Sequence, residues 1–167
     1  MLYKISEFEI EKLSISESKN ATYLQFDKQP FEIQIDWLSL GQYPLPSKKF
    51  ITDDAKSINL TIPIKKEDDN YIVLSAIDDN LSKLKILSNK TYHPLIAEKE
   101  GQYYLKFKLY LNTTLFDKDK NIISITSLLD FYRYCKEGQK LRLVFAFSKM
   151  WKMANNYGFS LSVRRIQ

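Results

Sequence analysis

The chain has 167 residues, of which 44% are hydrophobic, 27% charged and 14% aromatic, and its formal net charge is +5. One cysteine, Cys135, and one histidine, His93, exclude an internal disulfide framework and a Cys-rich zinc site; they speak against a His-based metal centre or a Ser-His-Asp triad. Four glycines leave no material for a phosphate loop or a dinucleotide fingerprint.

This length suits one domain, which at such a size buries roughly 70% of its unfolded surface. No apolar run is long enough to span a membrane, and residues 1–7 lack the pattern of a signal peptide. An intracellular protein with no membrane partner is expected. The charge is uneven. Residues 1–90 carry 12 Lys against 14 Asp and Glu, a net of −2, and residues 91–167 carry 13 Lys and Arg against 6 acids, a net of +7. All four arginines lie in the second part. A basic C-terminal half is either the footprint of a polyanion or a solvated surface.

Residues 1–20 are set aside as an N-terminal extension of a single domain covering 1–167. Residues 21–26 read as a short strand. Phe31, Ile33, Ile35 and Trp37 alternate with Glu32, Gln34 and Asp36, the period of a half-buried strand. Pro44 and Pro46 end it, since proline donates nothing to a ladder. Ile58, Leu60, Ile62 and Ile64 mark a third strand. The period then lengthens: Tyr71, Leu74, Ile77, Leu81, Leu84 and Leu87 form one apolar stripe, predicting a helix at about 67–88 with Asn89 as its stop. Acidic residues 67–69 and Lys83, Lys85 and Lys90 suit the two ends of its dipole.

Strands return afterwards. Tyr103, Leu105, Phe107, Leu109 and Leu111 face one way, and Tyr104, Lys106, Lys108 and Tyr110 the other. Residues 116–121 form a polar turn, and Ile122, Ile123 and Ile125 extend the sheet. Thr126 or Ser127 caps a short helix at about 126–136, which Gly138 terminates. Leu141, Leu143, Phe145 and Phe147 pair with Phe159, Leu161 and Val163 in a hairpin whose turn is 154–158. The chain is thus mainly β with two helices, and its order fits an OB-fold-like Greek-key barrel, with a decorated β-sandwich as the runner-up.

Two groups of residues carry a binding chemistry. On the 103–111 strand, Tyr104, Lys106, Lys108 and Tyr110 share a face at intervals of about 6.6–7 Å, near the spacing of stretched nucleotides. Lysines there meet phosphates while rings stack on bases; alternatively the lysines only guard a strand edge. In the terminal hairpin, Arg142, Lys149, Trp151, Lys152, Tyr157, Arg164 and Arg165 surround an aromatic platform, unless Trp151 plugs the barrel end. Of Arg164 and Arg165, at least one must face away from the core.

Other motifs fail. Asp117, Asp119 and Asn121 open like a calcium loop, but Ile122 stands where glycine is needed and Leu128 where glutamate is needed. Cys135 and His93 have no ligand neighbours. Five Asn-x-Ser/Thr sequons, at Asn20, Asn59, Asn80, Asn89 and Asn112, are taken as chance without a secretory signal. No metal, cofactor or catalytic residue is expected, because no carboxylate cluster falls on facing strands.

Residues 31–38, the Lys106–Leu109 stretch with its 116–119 turn, and residues 140–167 together resemble the OB-fold single-stranded-DNA-binding proteins of large nucleocytoplasmic DNA viruses and, more remotely, related phage replication proteins. The resemblance spans most of residues 22–167 as a loose pattern. It implies a non-catalytic coat for single-stranded DNA in replication, repair or recombination, working in the cytoplasm, the nucleus or a viral replication compartment. RNA as ligand, replication proteins as partners and a homo-oligomer stay open. Many such proteins end in an acidic tail, whereas residues 163–167 are Val-Arg-Arg-Ile-Gln. A β-barrel protein-interaction or virion structural module is the alternative.

Overall fold

The computed structural model describes residues 1–167. Its strands are β1 (Leu2–Lys4), β2 (Leu13–Glu17), β3 (Thr22–Phe26), β4 (Glu32–Gln34), β5 (Leu38–Ser39), β6 (Ser57–Ile64), β7 (Thr91–Tyr92), β8 (Ile96–Lys99), β9 (Gln102–Tyr110), β10 (Thr114–Phe116), β11 (Ile122–Ile123), β12 (Lys140–Leu141), β13 (Leu143–Phe147), β14 (Trp151–Met153), β15 (Asn156–Gly158) and β16 (Leu161–Ile166). One α-helix, α1 (Asp69–Leu84), lies between β6 and β9.

Five of these strands form the barrel wall, in the order β6–β9–β16–β13–β4. The β6–β9, β13–β16 and β4–β13 pairs are antiparallel, and β9 and β16 run parallel. β5 lies beside β6 and brings the ends of the wall together, and the Thr61 amide donates to the Pro44 carbonyl at 2.8 Å. This is an OB-type Greek-key barrel, mainly β, whose two longest helical segments are α1 and a 3-10 helix at Leu128–Arg133. Within the first twenty residues, β1 pairs with β4, β2 pairs with β3, and Ile5 is fully buried.

The core follows from the alternation. Ile58, Leu60, Ile62 and Ile64 of β6 face Leu105, Phe107 and Leu109 of β9, all buried. Leu143, Phe145, Leu161, Val163 and Ile166 close the interior from the other side. Phe107 and Phe145 meet edge to face with centroids 5.4 Å apart, a preferred aromatic geometry. α1 buries Leu74, Ile77 and Leu81 completely.

Several boundaries differ from the sequence expectation. α1 spans 69–84 rather than 67–88, because Lys85 turns left-handed (φ 45°) and ends it before Asn89. The capped segment at 126–136 is a 3-10 helix, Leu128–Arg133, closed by a Ser127–Asp130 capping box. The 31–37 strand breaks after Gln34, and Trp37, expected inward, is 49% exposed. Leu111 and Ile125 fall outside the strands, and Leu111 is exposed. The 154–158 turn is instead part of a small inserted hairpin, in which Trp151 pairs with Gly158 and Lys152 with Tyr157.

Asp78 holds this insertion near the barrel. From α1 it accepts hydrogen bonds from the Tyr92 hydroxyl (2.7 Å), the Leu95 amide (2.8 Å) and the Ile96 amide (3.1 Å). Tyr92 and Tyr157 pack with centroids 5.7 Å apart, and β7 and β15 run parallel. Gly158 is needed beneath Trp151, since a Cβ there would lie 2.8 Å from the indole.

Candidate nucleic-acid interface

The two predicted groups meet only in part: Trp151 of the second lies with Lys106 and Lys108 of the first, whereas Arg164 lines a separate hollow with Tyr23, Phe31 and Phe147. Along β9 the even residues point outward: Lys106 is exposed, and Tyr104, Lys108 and Tyr110 are half-buried. The β6–β9 register sets Pro63, Thr61, Asn59 and Ser57 beside them. Across the other edge, Lys108 lies next to Ser162 of β16. A cleft on this face is lined by Lys106, Lys108, His93, Trp151 and Ser160. Trp151 is half-buried, its ring 5.6 Å from His93 at 57°. It is thus both packed against Gly158 and open to the cleft.

Arg164 and Arg165 are both exposed. The β13–β16 ladder shifts register between Val144 and Phe145, so Val144 faces Arg165 while Phe145 faces Val163. The extra residue, Arg164, breaks the alternation and puts two consecutive arginines outside, as β-bulges do. Arg165 forms an ion pair with Glu32 at 3.2 Å, so its charge is partly answered. Lys149 and Lys152 are exposed. Alternation places Lys152 on the opposite side of β14 from Trp151.

Two expectations need correcting. Tyr157 is 1% exposed, because β15 buries it against Tyr92; no base reaches it without unfolding the insertion. Arg142 is not beside the Trp151 cleft but packs over Trp37, 4.8 Å from the ring centroid. Tyr104 and Tyr110 stay on the outward face, the Tyr104 hydroxyl donating to Gln102 at 2.6 Å.

A second hollow continues from Lys106 on the far side, lined by Tyr43, Asn59, Thr61, Tyr132 and Lys136. Tyr43 is 80% exposed. The Lys48 ammonium sits 5.2 Å from the Tyr132 ring centroid, and the Tyr132 hydroxyl donates to the Pro46 carbonyl. Sequence reasoning missed Tyr43, Tyr132 and His93. The Gly41–Pro46 stretch carries a local signal, an aromatic in a proline-rich loop, beside the strand end that its prolines mark.

No cluster of His, Cys, Asp or Glu is arranged to hold a metal. Cys135 is 3% exposed, and burial pushes its thiol up to about 12. No helix is long and apolar enough to cross a membrane.

The barrel defines an OB-type fold. No protein-family model and no curated protein sequence matches the chain. Among solved structures it is similar to the single-stranded DNA-binding protein from bacteriophage Enc34, in a C-terminal truncation, at 12% identity and a TM-score of 0.52, covering 95% of each chain. The same phage protein in complex with ssDNA gives a TM-score of 0.54 at 12% identity, covering 93% of this chain and 94% of that one. Bacteriophage T7 gp2.5, a single-stranded DNA-binding protein, gives 0.50 at 12%, covering 81% of this chain and 89% of that one. The fold likeness is therefore to phage proteins, the remoter half of the resemblance read from the sequence.

Proposed function

We propose that the protein binds single-stranded DNA without sequence preference, along the outward face of β6 and β9. Trp151 and Tyr104 stack on bases, while Lys106, Lys108, Lys149 and, from the hollow beyond Lys106, Lys136 neutralise phosphates; Tyr110 borders the path. The carrying observation is the meeting of Trp151 with Lys106 and Lys108 in one cleft, although they come from segments more than forty residues apart. In OB barrels the face of the second and third strands, flanked by the loops after the first and fourth, takes oligonucleotides. Here those strands are β6 and β9, and the loops contribute Tyr43 on one side and Trp151 on the other. The phage protein that matches over the same length has been solved with ssDNA, which supports the reading. The role is a non-catalytic coat during replication, repair or recombination.

With about four phosphates neutralised, the single-strand salt slope is roughly −2.8, so a fourfold rise in salt weakens binding by about fiftyfold. Anisotropy of a labelled oligothymidylate at two salt concentrations measures this. Binding that ignores salt, or no binding at low salt, rejects the proposal. A protein-interaction module with the same aromatic surface predicts no mobility shift with single-stranded DNA.

A further inference from the structure

Arg165, near the far end of β16, belongs to a different groove. Trp37 is 49% exposed, and the Arg142 guanidinium covers its ring at 4.8 Å, a cation–π contact. Two hollows meet there and share Phe116 and Gln167. One contains Arg142, Arg165 and Lys120, and the other contains Trp37, Lys118 and Lys140. Two of the neighbouring carboxylates have partners. Asp117 accepts from the Asp119 and Asn121 amides at 2.8 Å and from the Asn121 side chain at 3.1 Å. Glu32 is held by Arg165. Five cations line the two hollows against the Asp117 carboxylate, with Asp36 next to Trp37 in the chain, so a half-exposed indole sits in a net positive setting.

The groove lies at the end of the strand that borders the Lys106–Lys108 face. Ser162 stands beside Lys108, and Arg164 and Arg165 follow on the same strand. At about 3.3 Å per residue, Ser162 and Arg165 are roughly 10 Å apart, one or two stretched nucleotides. We propose that the groove is a second station for the same single strand, with a base stacked on Trp37 and phosphates met by Arg142, Lys118, Lys120 and Lys140. This rests on the reading of the β6–β9 face, whose track of cations it extends. An acidic polypeptide would also satisfy the charges, but it would not need a groove so near that face.

The two tryptophans, Trp37 and Trp151, are the chain's complete set, so each becomes the sole emitter when the other is replaced. In Trp151→Phe, a saturating oligothymidylate of about twenty nucleotides should quench Trp37, and in Trp37→Phe it should quench Trp151. Trp37→Ala should weaken binding of that oligonucleotide about tenfold, with an unchanged circular dichroism spectrum. Replacing Lys118 and Lys120 by Ala should lower the salt slope by about 0.7 per lost contact. If the labelled oligonucleotide binds and quenches Trp151 while Trp37 stays silent, the second station is overturned and the first reading stands. Quenching confined to Trp37 refutes the cleft and overturns a track shared with the β6–β9 face. A response of Trp37 to polyglutamate but not to the oligonucleotide assigns the groove to a protein and overturns the inference. Absence of any binding sinks both.

Discussion

Replacing Lys106 and Lys108 together by alanine tests the electrostatics of the cleft most directly. Both lie on the outward face of β9, and neither forms an ion pair. The residues beneath them, Leu105, Phe107 and Leu109, are fully buried and untouched. Surface substitutions of this sort change stability by within about 0.5 kcal/mol, so the melting temperature should move by no more than about two degrees for a chain of this length. Binding should respond quite differently. Removing two of about four phosphate contacts takes the salt slope from roughly −2.8 to −1.4, and a fourfold rise in salt then weakens binding about sevenfold instead of fiftyfold. The assay is anisotropy with a labelled oligothymidylate at several salt concentrations, with thermal unfolding as control. An unchanged slope in a folded variant would place the phosphates elsewhere and refute the reasoning.

The remaining predictions separate surface from core. Trp151→Ala should lose about 1–3 kcal/mol of binding and remain folded by circular dichroism; unfolding would show that its packing on Gly158 dominates. Tyr157→Ala should destabilise by about 3–5 kcal/mol in urea denaturation, the range for emptying a buried aromatic site, whereas Tyr157→Phe should bind DNA like the parent. Burial holds the Asp78 carboxyl above its ordinary range against the opposing pull of its hydrogen bonds. A group raised in the folded state contributes stability below its unfolded value, and loses it as pH rises through the folded value. The gap in stability between the parent and Asp78→Asn should therefore shift against the parent as pH rises through the carboxylate range, as read by unfolding at a series of pH values. Cys135, buried and with its thiol pushed up to about 12, should resist a thiol reagent at pH 8 until urea unfolds the chain; fast native labelling would contradict this.

The barrel was legible where one segment contains its own answer. Alternation along 57–64 and 103–110 separated inside from outside correctly, because a strand's side-chain period is two whatever it pairs with. The apolar stripe found α1, and Thr126 or Ser127 marked the start of the 3-10 helix, both through interactions within a few residues. Sites made by distant segments were less accessible. Tyr157 sits in a polar-looking stretch, and only its pairing beside Tyr92 buries it. Trp37 follows an apolar alternation, yet the strand breaks before it and leaves it to Arg142.

By itself, then, the chain's pattern of side chains determined which faces are apolar, that β9 carries alternating lysines and tyrosines outward, and that its basic charge lies in the second half. The tertiary structure alone decided that Trp151 and His93 stand over Lys106 and Lys108, and that a bulge turns both Arg164 and Arg165 to solvent. The physical reason is one of range. Side-chain direction within a strand is local geometry, whereas register, bulges and the meeting of loops depend on how separate strands pack around a shared interior.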